Sequence, residues 1–126
     1  MVIINKSIFK QTFRYSFVVD GGVVGSFLSP FALPGGANVY RVQCLVTTTI
    51  TGGAGSGVSV GLGSGGSSAA YVAVTPIAGL NAGVSLVNPN VSTGALIAAG
   101  GEFASFTIDT DPLTAGVIEI TVFYLL

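Results

Sequence analysis

The stretch "GVIEITVFYLL", residues 116–126, alternates strongly apolar side chains with a mixed set over most of its length. Successive side chains of a β-strand point to opposite faces, so residues two apart share a face. The alternation therefore predicts a strand with one row facing the core, formed by Ile118, Ile120, Val122 and Tyr124. The row facing the other way consists of Val117, Glu119, Thr121, Phe123 and Leu125.

Period-two alternation recurs along the chain, whereas helical periodicity is almost absent. Clusters of glycine, asparagine and serine separate the alternating segments and indicate turns. We expect eight strands, over residues 13–19, 23–28, 39–50, 58–62, 71–75, 84–87, 103–109 and 116–126. In the third, the inward row is predicted as Tyr40, Val42, Cys44 and Val46. Short strands at regular spacing indicate an all-β antiparallel β-sandwich, and specifically an eight-stranded jelly roll.

The overall composition limits the classes of function. The chain has 126 residues, which is one domain, and four basic and five acidic residues give a net charge of −1. Such a weak charge attracts neither nucleic acid nor an anionic membrane surface. There is no histidine and only one cysteine, so intrachain disulfides and cysteine–histidine metal frameworks are ruled out. We expect no metal and no cofactor.

The charges are unevenly spread, because the sixty residues 42–101 carry none. A membrane-spanning helix needs about 20 apolar residues, and glycine pairs, Pro76 and Asn88-Pro89-Asn90 interrupt every such window. Half of the residues are hydrophobic, which is unlike disordered chains. The remaining explanation is a surface covered by other protein chains. We therefore expect a homo-oligomer, with Val117, Phe123 and Leu125 as contact residues on the outward row of the last strand.

The first dozen residues alternate least clearly. They are predicted to form an N-terminal arm, residues 1–12, ahead of a jelly-roll domain of residues 13–126; an edge strand of the same domain is the alternative. The arm combines apolar and basic side chains, which suits attachment to a partner protein. The candidate attachment residues are Ile3, Ile4, Lys6, Ile8, Phe9 and Lys10.

One glycine motif suggests a nucleotide site but lacks its context. Gly61, Gly63 and Gly66 have the spacing of a dinucleotide-binding loop. That function requires a helix directly after the loop, whereas an alternating segment follows here. We interpret the motif as a connection between two strands.

Catalytic chemistry has few candidates. Asp109 and Asp111 precede Pro112, a pattern typical of turns; a weak calcium site and catalysis are the alternatives. Cys44 lies on the inward row of a strand and has no histidine to activate it, so we expect it to be buried and inert. A serine triad also needs histidine. The sequence predicts no catalytic site and no enzyme.

Two segments together resemble a group of small virion proteins of tailed bacteriophages. They are "FRYSFVVDGGVVGSFLSPFALPGGANVYRVQCLVTTTITGGAGSGVSVGLG", residues 13–63, and "DPLTAGVIEITVFYLL", residues 111–126. The resemblance lies in a strand ending in Val-Asp-Gly-Gly, a proline-bearing loop, a long strand ending in threonines, and an "LTAG" turn opening the final strand. It implies a jelly-roll decoration (cement) or head-fibre protein, with no enzymatic site.

The same resemblance implies a trimer on the capsid surface of the virion, in contact with the major capsid protein or other virion proteins. A fibre or spike module that binds a host receptor or glycan is the alternative, because jelly rolls also serve as lectins. A third alternative, the coat protein of a small virus, usually needs a longer chain or a strongly basic arm.

Overall fold

The computed structural model describes residues 8–63, 68–91 and 95–126. These residues form eight β-strands and one short helix. In chain order they are β1 (Ile8–Ser16), α1 (Phe17–Asp20), β2 (Gly25–Leu33), β3 (Asn38–Gly52), β4 (Gly57–Leu62), β5 (Val72–Pro76), β6 (Ser85–Asn88), β7 (Glu102–Asp109) and β8 (Leu113–Leu125). None of the helical structure within these ranges is long and apolar enough to cross a membrane.

The strands form two four-stranded sheets that pack face to face. The front sheet has the order β1-β8-β3-β6 and the back sheet the order β2-β7-β4-β5. All neighbouring strands are antiparallel. This is the strand order of a jelly roll, in which the chain crosses repeatedly between the two sheets. The predicted fold class, an eight-stranded antiparallel sandwich, is confirmed.

β8 is a central strand of the front sheet and follows the predicted alternation. It pairs with β1 along one edge and with β3 along the other. The predicted core-facing row is fully or almost fully buried: Ile118, Ile120, Val122 and Tyr124. The outward row of Val117, Glu119, Thr121, Phe123 and Leu125 is half-buried. The facing of the last strand is therefore as predicted.

Aromatic side chains join the two sheets inside the core. Tyr15 of β1 stacks on Phe106 of β7, with ring centroids 4.6 Å apart, and contacts the Phe27 ring at 5.4 Å. Tyr15 and Phe106 are both fully buried. Aromatic pairs of this kind stabilise a core beyond the area that they bury, so this cluster ties the front sheet to the back sheet.

The first predicted strand, residues 13–19, is wrong at its end, because Phe17–Asp20 form the single turn α1. The Gly21 N–H donates to the Phe17 carbonyl at 2.9 Å and closes this turn, and two side-chain hydrogen bonds support it. The Ser16 N–H donates to Asp20 Oδ2 at 2.9 Å, and the Tyr15 hydroxyl donates to the Gly21 carbonyl at 2.6 Å. Gly21 has a φ of 78°, a conformation that favours glycine. In this turn, local hydrogen bonding has overridden the strand propensity of Val18 and Val19.

The facing of β3 also differs at one end. Its pairing with β8 shifts between Val39 and Arg41, so two consecutive residues, Tyr40 and Arg41, stand outside the regular alternation. Val39 is fully buried and Tyr40 lies on the outer face, contrary to the prediction for Tyr40. Beyond the shift, Val42, Cys44 and Val46 are buried as expected.

β1 begins earlier than the predicted domain boundary. Its nine residues pair with β8 without a break, from Ile8 opposite Leu125 to Ser16 opposite Val117. Phe9 belongs to the inner row and stacks on Tyr124, at 5.6 Å between centroids. Residues 8–12 thus form an edge strand, the alternative prediction for this segment, because the inner row continues from Tyr15 back to Phe9. Ile3, Ile4 and Lys6 lie outside the described residues.

Stability should fall as the pH rises from 10 to 12. Burial, and secondly the charge of Asp20, raise the pKa of Tyr15 from 10.0 to about 12. The neutral hydroxyl is therefore favoured in the folded state; this contribution is present below pH 10 and is lost as pH rises through 12. In urea unfolding followed by circular dichroism, Tyr15→Phe should be less stable at neutral pH but lose less stability over this interval. An unchanged pH dependence would show that Tyr15 does not carry it.

Candidate assembly interface

The outer face of the front sheet carries all three predicted contact residues. Val117, Phe123 and Leu125 project from the outward row of β8 and are half-buried. Because a strand rises about 3.3 Å per residue, Val117 lies about 20 Å from Phe123 along β8. Only Phe123 and Leu125 are close enough to act in one small contact.

Strand pairing places two predicted attachment residues beside this pair. Ile8 lies opposite Leu125, and Lys10 lies opposite Phe123, on β1. Ile8 is highly exposed. Phe9 does not join them, because it points to the inner face and packs on Tyr124. Residues predicted for two separate roles, self-association and attachment, thus form one continuous surface at the outer end of β1 and β8.

β3 completes this surface from the other side of β8. Arg41 pairs with Phe123, and the Tyr40 ring lies 6.3 Å from the Phe123 ring, between centroids. The Arg41 Nη2 donates a hydrogen bond to Gln43 Oε1 at 3.5 Å. We call this surface the basic aromatic patch and define it by Ile8, Lys10, Tyr40, Arg41, Phe123 and Leu125. It combines apolar area with two cations.

The cations among the described residues lie together on one face of the molecule, whereas most of the carboxylates do not. The three cations, Lys10, Arg14 and Arg41, all lie on the outer face of the front sheet, where Glu119 is the one carboxylate, opposite Arg14. Three cations and one carboxylate give the described part of that face a net charge of +2. The other four carboxylates lie elsewhere: Asp20, Glu102, Asp109 and Asp111. The net charge of the whole chain is close to zero, but positive charge is concentrated on one face.

A second apolar surface lies at the opposite end of β1. Val18 and Val19 of α1 are 90% and 78% exposed, and Val23 in the following loop is 73% exposed. Asp20, also exposed, lies among them. We call Val18, Val19, Asp20 and Val23 the valine knob. An exposed cluster of this kind is unusual on an isolated soluble protein and typical of a contact surface.

Strand alternation did not predict this knob, because Val18 and Val19 fall in a segment predicted as a strand, where one of them faces inward. A signal was nevertheless present. Two Val-Val pairs, residues 18–19 and 23–24, flank an Asp-Gly-Gly turn. Consecutive residues of a strand point to opposite faces, so only one valine of each pair could face the core of the domain.

The described aspartates near Pro112 act in a turn. The Asp111 carboxylate Oδ2 accepts the Gly55 N–H at 2.8 Å, and the Asp111 N–H donates to the Asp109 carbonyl at 2.9 Å. Across residues 8–63, 68–91 and 95–126, no group of three or more metal-ligating side chains comes together. The Asp111 carboxylate and the Asp109 backbone carbonyl thus take part in the hydrogen bonds of this turn.

The remaining candidates occupy structural positions. Cys44 is buried in β3, and burial raises the pKa of its thiol to about 12. Gly61 is buried in β4, which ends at Leu62, and the next element is strand β5. Gly66, the last glycine of the motif, lies outside the described residues. The glycine motif thus lies between the strands β4 and β5, as predicted for a connection between two strands.

Comparisons with known proteins give structural neighbours only, since no protein-family model and no curated protein matches the sequence. The chain is similar to one in the acidic stable capsid structure of Helicobacter pylori bacteriophage KHP30, with a TM-score of 0.70, 15% identity, and coverage of 98% of this chain and 90% of that chain. A chain of the Cyanophage Pam1 capsid has a TM-score of 0.65 at 18% identity, with 100% and 89% covered. A chain of the capsid of Ralstonia phage GP4 has a TM-score of 0.62 at 16% identity, with 98% and 89% covered. At these identities the likeness confirms a fold shared with phage capsid chains.

Proposed function

We propose that the protein is a non-enzymatic structural component of a bacteriophage virion, a trimeric decoration (cement) protein on the outside of the capsid. One observation carries this proposal. The jelly roll matches chains of three phage capsid structures over nearly the full length of both partners. A fold match of that extent supports a structural role.

The surface supports a role in assembly. The valine knob exposes three valines, and the basic aromatic patch combines exposed Ile8 with half-buried Tyr40, Phe123 and Leu125. The chain carries nine charged residues in all. A well-solvated surface is about 25–35% charged residues. A protein with this surface is stabilised by neighbours that cover it, as in a capsid lattice.

Attachment to the capsid is assigned to the segment ahead of β1, residues 1–7, which contains the predicted attachment residues Ile3, Ile4 and Lys6. Of the other predicted attachment residues, Ile8 and Lys10 belong to the basic aromatic patch, and the Phe9 ring packs on Tyr124 on the inner face. Apolar side chains would supply most of the binding free energy, because an exposed ion pair contributes no more than about 1 kcal/mol.

Deleting residues 1–7 should abolish attachment without unfolding the sandwich. The deletion ends before β1, so the pairing of β1 with β8 and the contact of Phe9 with Tyr124 stay intact. The truncated protein should keep its circular dichroism spectrum and its oligomeric state. In co-sedimentation with virions stripped of this protein, it should remain in the supernatant, whereas the full chain pellets.

The matched control is Lys6→Ser in the full chain, which removes one charge and should weaken rebinding only slightly. Rebinding of the truncated protein at the level of the full chain would move attachment to the sandwich itself. Mass spectrometry of virions then tests the location: hundreds of copies indicate a capsid-wide decoration, and a few dozen indicate a vertex or fibre component.

One depression among the described residues bears on the alternative function, a fibre or spike module that binds a receptor or glycan. A shallow depression of about 630 Å³ is lined by residues 35–36 and 96–100. Its lining consists of glycine, alanine, leucine and isoleucine, without an aromatic ring. Binding sites for small ligands usually add a few convergent polar groups to an apolar lining, so this depression gives no support to glycan binding.

A further inference from the structure

We propose that the valine knob of one copy docks on the basic aromatic patch of the next copy, in a head-to-tail contact. The proposal rests on the proposed function in one respect, that the protein works as an assembly of identical copies. It adds which two surfaces meet, and it makes the contact heterologous, joining different surfaces of the two copies.

The apolar parts of the two surfaces suit each other. The knob presents three valines that are between 73% and 90% exposed. The patch presents two aromatic rings, Tyr40 and Phe123, with Ile8 and Leu125 beside them. Aromatic rings and an accompanying arginine are typical of the centre of protein interfaces. When the valine knob docks on the basic aromatic patch, apolar area of both surfaces is removed from water.

The charges decide the partner. Asp20 lies within the knob, and Lys10 and Arg41 lie within the patch. Two patches brought together by a two-fold axis would place these cations against their own copies, which is unfavourable. Knob against patch places a carboxylate between two cations. Charge complementarity therefore favours a second copy in the head-to-tail arrangement over a symmetric pair.

The knob of a molecule cannot dock on the patch of the same molecule, because the two surfaces are too far apart. Lys10 in the patch and Ser16 at the start of α1 are about 20 Å apart along β1, at about 3.3 Å per residue. A contact between two different surfaces of identical copies generates a ring if it closes and a filament if it does not. The trimer of the proposed function is the smallest such ring.

The first test introduces a cation into the knob with Val18→Lys, which offsets the charge of Asp20. Val18 is 90% exposed, so the monomer should fold normally. The new cation would meet Lys10 and Arg41, and the dissociation constant of the oligomer should rise at least about tenfold in sedimentation velocity. Val18→Glu, which removes the same valine but adds a negative charge, should weaken the oligomer less. Combining Val18→Lys with Arg41→Glu should restore association toward that of the unmodified protein.

The second test uses cysteine cross-linking, for which buried Cys44 gives little background. Val18→Cys combined with Gln43→Cys places one thiol on the knob and one beside the patch. Oxidation should produce linked dimers and larger species, because each copy is joined to two others. Val18→Cys alone should give no cross-link. Products that stop at the dimer would indicate a reciprocal two-fold pair and overturn the proposal.

The outcomes separate this inference from the proposed function. Val18→Lys that leaves the oligomer unchanged, or a weakening that is equal for Val18→Lys and Val18→Glu, overturns the knob-to-patch contact. Rebinding to stripped virions is measured on the same variants. A decoration protein with a different internal contact would still bind them, whereas a protein with another function would not bind them in any form.

Discussion

Phe123→Asp is expected to dissociate the oligomer into monomers that retain the β-rich circular dichroism spectrum. Phe123 lies on the outer face of the front sheet, between Lys10 on β1 and Arg41 on β3. Its ring is half-buried in the monomer and contacts Tyr40. Removing an aromatic residue at the centre of an interface costs about 2 kcal/mol or more, which corresponds to about a 30-fold weaker contact. Sedimentation velocity at micromolar concentration measures the change.

The control for this variant is Phe31→Asp, at an exposed position on the edge strand β2 of the back sheet. It introduces the same charge in place of the same ring and should leave the oligomer intact. Loss of the folded spectrum in Phe123→Asp would mean that the ring supports the monomer. A Phe123→Asp protein that is folded and fully oligomeric would show that Phe123 does not lie in the contact between copies.

Phe106→Ala is expected to remove a large part of the stability of the folded monomer. Phe106 is fully buried in β7 and stacks on Tyr15 of the opposite sheet. Truncating a buried phenylalanine removes its burial energy and leaves a cavity, at a cost of about 3–5 kcal/mol. Domains of this size are stable by about 5–15 kcal/mol in total. The free energy of unfolding in urea should therefore fall by a large fraction of its value.

Phe103→Ala provides the matched comparison, since Phe103 lies in the same strand but is exposed. Its truncation should cost less than about 1 kcal/mol. Oligomerisation would add stability to both variants, so unfolding is best measured in the Phe123→Asp background, where monomers are expected. Equal losses for the two variants would contradict the assignment of Phe106 to the core that joins the sheets.

The sequence predicts the number of strands, the fold class and the facing of β8, because alternation is a local property that survives in the folded protein. It misplaces features that depend on specific contacts. The turn at α1 is set by the Asp20 carboxylate on the Ser16 N–H. The outward position of Tyr40 follows from an irregular pairing of β3 with β8. Neither contact leaves a periodic signal in the sequence.

The candidate interface was predictable to a similar degree. The outward positions of Phe123 and Leu125 follow directly from the strand period. The proximity of Lys10 and Arg41 to Phe123 does not, because it depends on which strands become neighbours: residues near the start of the chain are placed beside its last strand. Val18 and Val19 are exposed because α1 interrupts the strand; the two Val-Val pairs in the sequence show that not all of these valines can face the core, but not which of them are exposed together.

The position of β8 between β1 and β3 bears on how quickly the molecule reaches its native state. Thr12 and Thr121, whose hydroxyls are hydrogen-bonded, are 109 residues apart in the chain. The front sheet cannot form until segments this distant have met. The conformational entropy of the chain opposes this encounter, and it is lost before the favourable contacts between the strands have formed. Folding rates fall as such non-local pairing increases. Newly made chains therefore spend time with β1, which pairs with β8, still unpaired, and they are exposed to edge-to-edge aggregation during that interval.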